Sequence, residues 1–295
     1  MKFALMGVGS GSTVRPDVLA EVARKGEELG FESAWIPEHL AVPVEMKARY
    51  PGSADGTFPG GPGVALHDPF VALSFVAAQT TRLKLGTGVF VLPLRNTISV
   101  AKAVASLDVL SQGRVLFGIG VGWCEEEFDA VGMPFTNRAG RTREAVRVMR
   151  ALWTEDTPEF DGRHHRFQPV GFNPKPVQKP YPPLIFGGES RAALKRTAEL
   201  ADGWCGIRYT PDSVKPYLAT LKELTERAGR NFSRLEITVG LDPSVQPTLD
   251  TVKRFEDAGV HRLFAFSPGW MRRSRFATDL YPAMERFADE VMAKM

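Results

Sequence analysis

The sequence predicts an α/β fold, a closed (β/α)8 or TIM barrel with inserted loops. Short apolar runs alternate with amphipathic helical patterns along the whole chain, giving eight strand–helix repeats, the number that closes such a barrel. A doubly wound sheet is the alternative, but it usually stops at about six strands and requires a glycine-rich loop after the first strand. The count of eight repeats favours the barrel. We therefore expect one barrel domain over residues 1–295.

The first four repeats have clear helix boundaries. Pro16 suits the first turn of a helix that Gly30 ends, and Asp68 and Asn96 are placed to begin the next two helices. The predicted strands cover residues 2–8, 31–36, 83–92 and 115–119, and the predicted helices cover residues 16–29, 68–79, 96–113 and 137–153.

The second four repeats follow the same rhythm after an interruption. Their strands are short apolar runs of the kind that parallel sheets bury on both faces. The predicted strands cover residues 183–186, 203–207, 235–239 and 262–266, and the predicted helices cover residues 190–200, 211–228, 248–258 and 277–293.

Two insertions break the rhythm. Residues 41–64, after the second strand, are rich in glycine and proline, which is typical of a functional lid or a disordered segment. We expect this insertion to be mobile without ligand and to place Met46, Tyr50 and Phe58 over a substrate. Residues 159–183 contain Asp161-Gly162 between two β-like runs, which predicts a hairpin turn followed by a proline-stiffened return.

Composition excludes several function classes. Hydrophobic residues make up 43% and charged residues 24% of the chain, as in ordinary globular proteins. The net charge is +3 without a Lys/Arg block, so we expect no nucleic-acid partner. Neither a secretory signal nor an apolar run of about 20 residues is present, so we expect no membrane association and a cytoplasmic protein. Cys124 and Cys205 are too far apart in sequence for a zinc motif.

Glycines gather at the ends of neighbouring strands. Gly118, Gly120 and Gly122 alternate in the fourth strand and beyond it, which leaves one strand face bare because side chains alternate with period two. Their spacing does not fit the dinucleotide-binding fingerprint. Other glycines end the third and fifth strands: Gly86, Gly88, Gly187 and Gly188. A flat ring lying across the three strands would explain them; the alternative is that barrel curvature requires glycine.

The stretch that follows the fifth strand predicts a phosphate anchor. Gly187 and Gly188 allow close backbone approach, while Glu189-Ser190 opens a helix whose first amide groups face the ligand. Such amide groups carry partial positive charge and suit a phosphate monoester. An ordinary serine-capped helix with a glycine turn is the alternative.

Few groups that titrate near neutral pH are placed for catalysis. His39, after Glu38 at the end of the second strand, could exchange a proton with a ring or substrate; the alternative is a packed histidine bonded to the backbone. His164 and His165 are adjacent, so they point opposite ways on a strand and no metal site is expected. The three acids at 125–127 most simply favour the dipole of the helix that they open.

Four stretches of the sequence together match the pattern of a known family. They are "LGFESAWIPEHL", "TTRLKLGTGVFVLPLRNTISVAKAVASLDVLSQGRVLFGIGVGW", "EEFDAVGMPFTNRAGRTREAVRVMRALWTED" and "PPLIFGGESRAALKRTAELADGW". With them the chain resembles the luciferase-like monooxygenase superfamily, and within it the coenzyme F420-dependent (deazaflavin) oxidoreductases. The resemblance covers essentially the whole chain. It implies a luciferase-like barrel with a deazaflavin or flavin over strands three to five and its phosphate near strand five.

The resemblance also implies roles for single residues. His39 matches a histidine beside the reactive ring of several deazaflavin enzymes. Residues 86–89 match a bulge in strand three that backs the ring, often with a non-prolyl cis peptide, which we predict at or next to Gly88–Val89. Trp123 stands where deazaflavin sugar-phosphate dehydrogenases have a catalytic glutamate. This departure argues against a sugar-phosphate substrate and for an apolar or aromatic substrate wall.

We therefore predict an F420-dependent oxidoreductase that moves a hydride between the deazaflavin and a small organic substrate. The alternatives are a reduced-FMN-dependent flavin monooxygenase, with FMN in place of F420, and a non-catalytic flavin-binding barrel. We expect a homodimer, with a small molecule as its other partner. His39 is the predicted catalytic residue. The predicted cofactor contacts are His39, Gly88, Val89, Gly120, Gly122, Gly187, Gly188, Glu189 and Ser190, and the predicted substrate contacts are Met46, Tyr50, Phe58 and Trp123.

Overall fold

The computed structural model describes residues 1–53, 55–267 and 279–295. Within these residues, eight parallel strands form a closed ring in which each strand pairs with its neighbours in chain order. The ring consists of β1 (Lys2–Met6), β2 (Ser33–Ile36), β3 (Lys84–Thr87), β5 (Val115–Gly120), β8 (Leu184–Gly187), β9 (Gly203–Tyr209), β10 (Glu236–Leu241) and β11 (Arg262–Phe266). Three short strands are added to it: β4 (Phe90–Val91), which pairs with β5, and β6 (Phe160–Asp161) and β7 (Arg166–Phe167), which form a separate pair. The short strand β4 continues β3, and β1 pairs with β11 to close the ring. The predicted (β/α)8 barrel is confirmed.

Helices surround the barrel and connect its strands. Asp68 and Asn96 cap α2 and α3 as predicted, since their side chains accept hydrogen bonds from first-turn amides. None of the described helices is long and apolar enough to cross a membrane. The helices are α1 (Pro16–Glu28), α2 (Pro69–Gln79), α3 (Thr97–Leu110), α4 (Glu125–Ala130), α5 (Arg138–Thr154), α6 (Arg191–Leu200), α7 (Lys215–Arg227), α8 (Leu249–Asp257) and α9 (Tyr281–Glu290).

Two local differences separate the predicted from the observed elements. The predicted third strand is divided into β3 and β4 at Gly88–Val89, whose peptide bond is cis as predicted. The short helix α4 interrupts the connection between the fourth strand and α5. The closing helix is α9, and its predicted start at residue 277 lies outside the described residues. The predicted hairpin is confirmed, because β6 and β7 form an antiparallel pair.

The barrel interior explains two of the glycines in a way that the ligand hypothesis does not. A side-chain carbon at Gly86 would lie 2.3 Å from the buried ring of Trp35, and one at Gly118 would lie 1.8 Å from the carbonyl oxygen of Thr87. Both positions are therefore filled by neighbouring strands. The strand face predicted to be bare at Gly118 is occupied by protein, so contacts with neighbouring strands, and not a ligand, account for the missing side chains at Gly86 and Gly118.

Candidate active site

The carboxyl ends of β2 and β5 bring His39 against a buried carboxylate. His39 follows β2, and Glu127 lies in α4, which follows β5. The His39 Nδ1 atom lies 2.8 Å from Glu127 Oε2, and the two side chains are only 9% and 2% exposed. Because a carboxylate can only accept, Nδ1 carries the hydrogen and donates it to Glu127. The other ring nitrogen, Nε2, is then left with the lone pair that could accept a proton.

The acids of α4 also fix the insertion at residues 41–64. Glu127 Oε1 accepts hydrogen bonds from the amides of Leu40 (2.7 Å) and Ala41 (3.4 Å). Glu126 Oε1 accepts from the amides of Lys47 (2.6 Å) and Ala48 (3.3 Å). The three acids lie in the first turn of α4, as expected, and Glu126 and Glu127 have the additional role of holding backbone amides of the insertion. The run of three glutamates contains no signal that distinguishes the buried Glu127 from its neighbours.

Aromatic side chains surround His39. Its ring meets those of Phe58 and Trp123 edge-on, with centroid distances of 4.6 and 5.7 Å. The Tyr50 ring lies 5.3 Å from each of the same two rings. The structure thus brings three of the four predicted substrate residues around the predicted catalytic histidine. The fourth, Met46, is half-buried in the same insertion.

Glu38 is a second buried carboxylate beside this site. One of its oxygens accepts a hydrogen bond from Arg95 Nη2 at 2.6 Å, and the other accepts from the amide of Val91 in β4. Burial raises the pKa of Glu38 to about 7, against the opposing effects of Arg95 and the Val91 amide, and the charge of Glu127 adds to the rise. A group that titrates near neutral pH therefore lies directly before His39 in the chain.

Glu38→Gln is expected to change how stability depends on pH. The pKa of Glu38 rises from its ordinary value of 4.5 to about 7 in the folded protein. Between pH 4.5 and pH 7 the Glu38 carboxyl keeps its proton in the folded protein but not in the unfolded chain. Its contribution to folding stability is therefore complete below pH 4.5 and is lost as the pH rises through 7. We expect urea unfolding to show that the free energy of unfolding of the wild type falls between pH 5 and pH 8 by about 1–3 kcal/mol more than that of the variant. Parallel pH dependences of the two proteins would contradict this.

Several predicted cofactor contacts meet around one side chain. A side-chain carbon at Gly120 would lie 2.8 Å from the Val89 side chain, and one at Gly187 would lie 3.0 Å from it. Val89 therefore stands between β5 and β8 at the carboxyl end of the barrel. Gly88, which precedes it, packs against Met6. Gly122 has φ +80° and lies against the buried Phe128, a position that only glycine occupies without strain.

The start of α6 has the features of an anion site. Ser190 is the capping residue, and its hydroxyl oxygen accepts from the amide of Ala193 at 3.2 Å. The two amides before Ala193 have no acceptor within the helix, which leaves them for a ligand or water. Gly188, with φ +109°, accepts from Trp204 Nε1 through its carbonyl. Glu189 turns instead toward β9, where it accepts from the amide of Ile207.

The two adjacent histidines have structural partners. His165 Nδ1 lies 2.9 Å from Glu144, its Nε2 lies 2.7 Å from the Thr97 hydroxyl, and His164 Nε2 lies 3.0 Å from the side-chain amide of Asn137. In the part of the chain that the structure describes, no group of three or more His, Cys, Asp or Glu is arranged to hold a metal ion. A cavity of about 340 Å³ beside these histidines contains none of the predicted site residues.

The sequence is similar to a known family and to individual proteins of other organisms. The family of luciferase-like monooxygenases matches residues 3–288. A protein of Mycobacterium bovis is 34% identical over 91% of this chain and 92% of its own length. An F420-dependent glucose-6-phosphate dehydrogenase of Kineococcus radiotolerans is 31% identical over 76% of this chain and 63% of its own length.

Solved structures share the fold over its whole length. An F420-dependent secondary alcohol dehydrogenase, in complex with an F420–acetone adduct, covers 100% of this chain and 99% of its own, with a TM-score of 0.76 at 18% identity. The oxygenating constituent of a diketocamphane monooxygenase from Pseudomonas putida, in complex with FMN, covers 100% and 99% with a TM-score of 0.73 at 15% identity. The sequence match and the fold agree: this chain belongs to the luciferase-like monooxygenase family.

Proposed function

We propose that this protein is an F420-dependent oxidoreductase that transfers a hydride between the deazaflavin and a small, largely apolar organic substrate. The observation that carries the proposal is the His39–Glu127 pair, held under aromatic rings at the carboxyl end of the barrel. A buried histidine with a fixed tautomer is suited to move one proton while the coenzyme moves a hydride. The relative from Kineococcus, named as F420-dependent, supports this choice of coenzyme.

The residues at the barrel end fit a coenzyme with a flat ring and a phosphate. Val89 would back the ring, and the absence of side chains at Gly120 and Gly187 leaves room for the Val89 side chain between the two strands. The first amides of α6 would hold the phosphate. When bound, the deazaflavin would supply the hydride acceptor or donor.

The protein itself would handle the proton. With Nδ1–H donated to Glu127, His39 Nε2 can take a proton from a substrate hydroxyl during oxidation. In the reverse direction, protonated His39 returns that proton to a carbonyl oxygen, and Glu127 stabilises the imidazolium. Glu127 thereby fixes both the tautomer and the orientation of the ring, as a positioning residue.

The aromatic residues define the substrate class. Tyr50, Phe58 and Trp123 present ring faces and edges beside His39, and Phe58 is buried. These aromatic side chains favour a substrate with an apolar surface and exclude water, which would compete for the proton. The resemblance places Trp123 where sugar-phosphate dehydrogenases of the family have a catalytic glutamate, so we propose an alcohol or carbonyl substrate with an apolar body.

Coenzyme titration tests the proposed function. We expect F420 to bind more tightly than FMN, in both the oxidised and the reduced form. The quenching of the protein's tryptophan fluorescence would measure both affinities. A substrate-dependent absorbance change of bound F420 would then identify hydride transfer. Tighter binding of reduced FMN with oxygen consumption would establish the monooxygenase instead. Binding of a flavin without any substrate-dependent change would favour the non-catalytic barrel.

A further inference from the structure

A cavity of about 340 Å³ lies outside the candidate active site, between the start of α3, the first half of α5 and the β6–β7 hairpin. Its volume is at the lower end of the range for small-molecule sites. The ionisable side chains that line it are all basic: Arg95, Arg141, His164, His165 and Arg166. None of the described residues at its wall is acidic. The composition of the wall therefore favours an anion.

Two of the three lining arginines already have acidic partners. Arg95 donates to Glu38 at 2.6 Å and to Asp68 at 3.0 Å. Arg166 donates to Asp161 at 2.6 Å. These acids do not line the cavity, so the arginines are held against other parts of the protein. Their charges are matched without a ligand.

Arg141 is the lining arginine whose charge is not matched. Its Nη1 donates to the carbonyl of Pro93 at 3.1 Å, and its Nη2 donates to the carbonyl of Pro134. In the described part of the chain it forms no ion pair, and burial lowers its pKa with no charged group to oppose the effect. A carbonyl carries no net charge, and a guanidinium has five N–H donors. Arg141 therefore keeps both a positive charge and donors for an anion.

The hairpin side of the cavity is fixed by Glu144 of α5. Its carboxylate accepts from the amides of Arg163, His164 and His165 at 2.9, 2.6 and 2.6 Å, and from His165 Nδ1 at 2.9 Å. His165 Nε2 lies 2.7 Å from the hydroxyl of Thr97 in α3. These bonds turn the Glu144 carboxylate toward the hairpin backbone and connect the hairpin with both helices. The cavity wall is thus formed before any ligand binds.

The rest of the wall is largely apolar. It includes the side chains of Leu92, Ile98, Met133 and Phe167. Such a surface favours a ligand with a hydrocarbon part over a fully hydrated ion, because polar groups are costly to bury without partners. One unmatched guanidinium calls for one negative charge, and its planar fork matches a carboxylate. A monocarboxylate with an apolar body satisfies both parts of the wall.

We propose that this cavity is a binding site for a small monocarboxylate with an apolar body, whose carboxylate accepts hydrogen bonds from Arg141. The site is separate from those of the coenzyme and the substrate, because none of the residues assigned to them lines it. The proposal does not depend on which coenzyme the barrel binds.

Benzoate and benzamide test the charge requirement because they share a ring and differ mainly in charge. We expect calorimetric titration of the wild type to show benzoate binding about tenfold more tightly than benzamide. Acetate, which lacks the apolar body, should bind about tenfold more weakly than benzoate. Failure of benzoate to bind, or equal affinities for benzoate and benzamide, would overturn the proposal.

Arg141→Met locates the charge because it removes the guanidinium and keeps most of the length of the side chain. The preference for benzoate over benzamide should fall to within about threefold in this variant. Arg147→Met is the matched control, since it is the same change at an exposed position of α5 that does not line the cavity. It should keep the wild-type preference, and an unchanged preference in Arg141→Met would contradict the assignment.

Ile98→Glu gives a second test that leaves the hydrogen bonds of Arg141 in place. Ile98 lines the cavity, is 39% exposed and lies in the first turn of α3, where an acidic side chain is favoured by the helix dipole. The added negative charge should weaken benzoate binding by about tenfold. Ser99→Glu adds the same charge at the next residue, outside the cavity lining, and should keep the wild-type affinity. Equal effects of the two substitutions would show that benzoate does not bind in this cavity.

Titration in the presence of coenzyme separates this site from the proposed function. Saturating F420 or FMN should leave the affinity for benzoate unchanged, and competition with either coenzyme would overturn the inference of a separate site. If neither coenzyme binds, the proposed function fails, while the benzoate measurements on Arg141→Met and Ile98→Glu still decide whether the carboxylate site exists.

Discussion

His39→Ala is expected to lower turnover by about 10²–10⁴-fold, the usual contribution of a positioned general acid or base. His39 Nε2 is the atom that would exchange a proton with the substrate, since Nδ1 is bonded to Glu127. Coenzyme affinity should change only modestly, because the proposed phosphate site lies at α6 and not at β2. Single-turnover kinetics with saturating coenzyme would measure the loss directly.

Two variants control for a purely structural effect of His39. His39→Asn keeps a side-chain N–H that can donate to Glu127 but cannot exchange protons near neutral pH, so its turnover should fall as far as that of His39→Ala. His67→Ala removes another half-buried histidine, which bonds the carbonyl of Val14, and should leave turnover nearly unchanged. If both His39 variants keep near-parental rates and the parental pH profile, then His39 is a packing residue and the proton comes from solvent or substrate.

The barrel itself could be predicted because its determinants are local. Each strand is a short apolar run, and the boundaries of α2 and α3 follow from the capping residues Asp68 and Asn96, which the structure confirms. These signals operate within a few residues along the chain. The order of the strands then follows, since consecutive repeats of a (β/α)8 barrel are neighbours in space.

The site could be predicted only in part, because its contacts join distant segments. His39 was accessible to sequence reasoning through its position after a strand. Its partner Glu127 is 88 residues away, and no local pattern connects the two. Gly118 illustrates the opposite error: its missing side chain suggests room for a ligand, yet the Thr87 carbonyl of the adjacent strand occupies that room. Which neighbour fills a gap depends on register between strands, which a single sequence does not encode locally.

The burial of Glu127 shows how one side chain serves both the fold of the insertion and the chemistry. Its two oxygens bind different groups: Oε2 accepts a hydrogen bond from His39, and Oε1 accepts hydrogen bonds from the amides of Leu40 and Ala41. A carboxylate can make both sets of hydrogen bonds because each of its oxygens is an acceptor. Any replacement that keeps its shape but adds a donor must fail at one of the two oxygens.

Glu127→Gln is therefore expected to reduce turnover by roughly 10²-fold, at the upper end of the effect of losing an orienting partner. Glutamine has one acceptor oxygen, and the amides of Leu40 and Ala41 hold it on their side. The NH₂ group then faces His39 Nδ1, which becomes the acceptor, and the ring proton moves to Nε2. The histidine would thus present a hydrogen where a lone pair is needed to accept the substrate proton.

Ring-nitrogen NMR distinguishes this tautomer change from general damage to the site. In the wild type the ¹⁵N shifts of His39 should show a protonated Nδ1, and in Glu127→Gln a protonated Nε2. Glu126→Gln is the matched control, because the acid at 126 accepts from the amides of Lys47 and Ala48 and from the thiol of Cys124. The His39 tautomer and the turnover of this variant should remain those of the wild type. Should Glu127→Gln keep the wild-type tautomer and still lose turnover, the carboxylate would act by its charge on the imidazolium, and orientation of the ring would not be its main contribution.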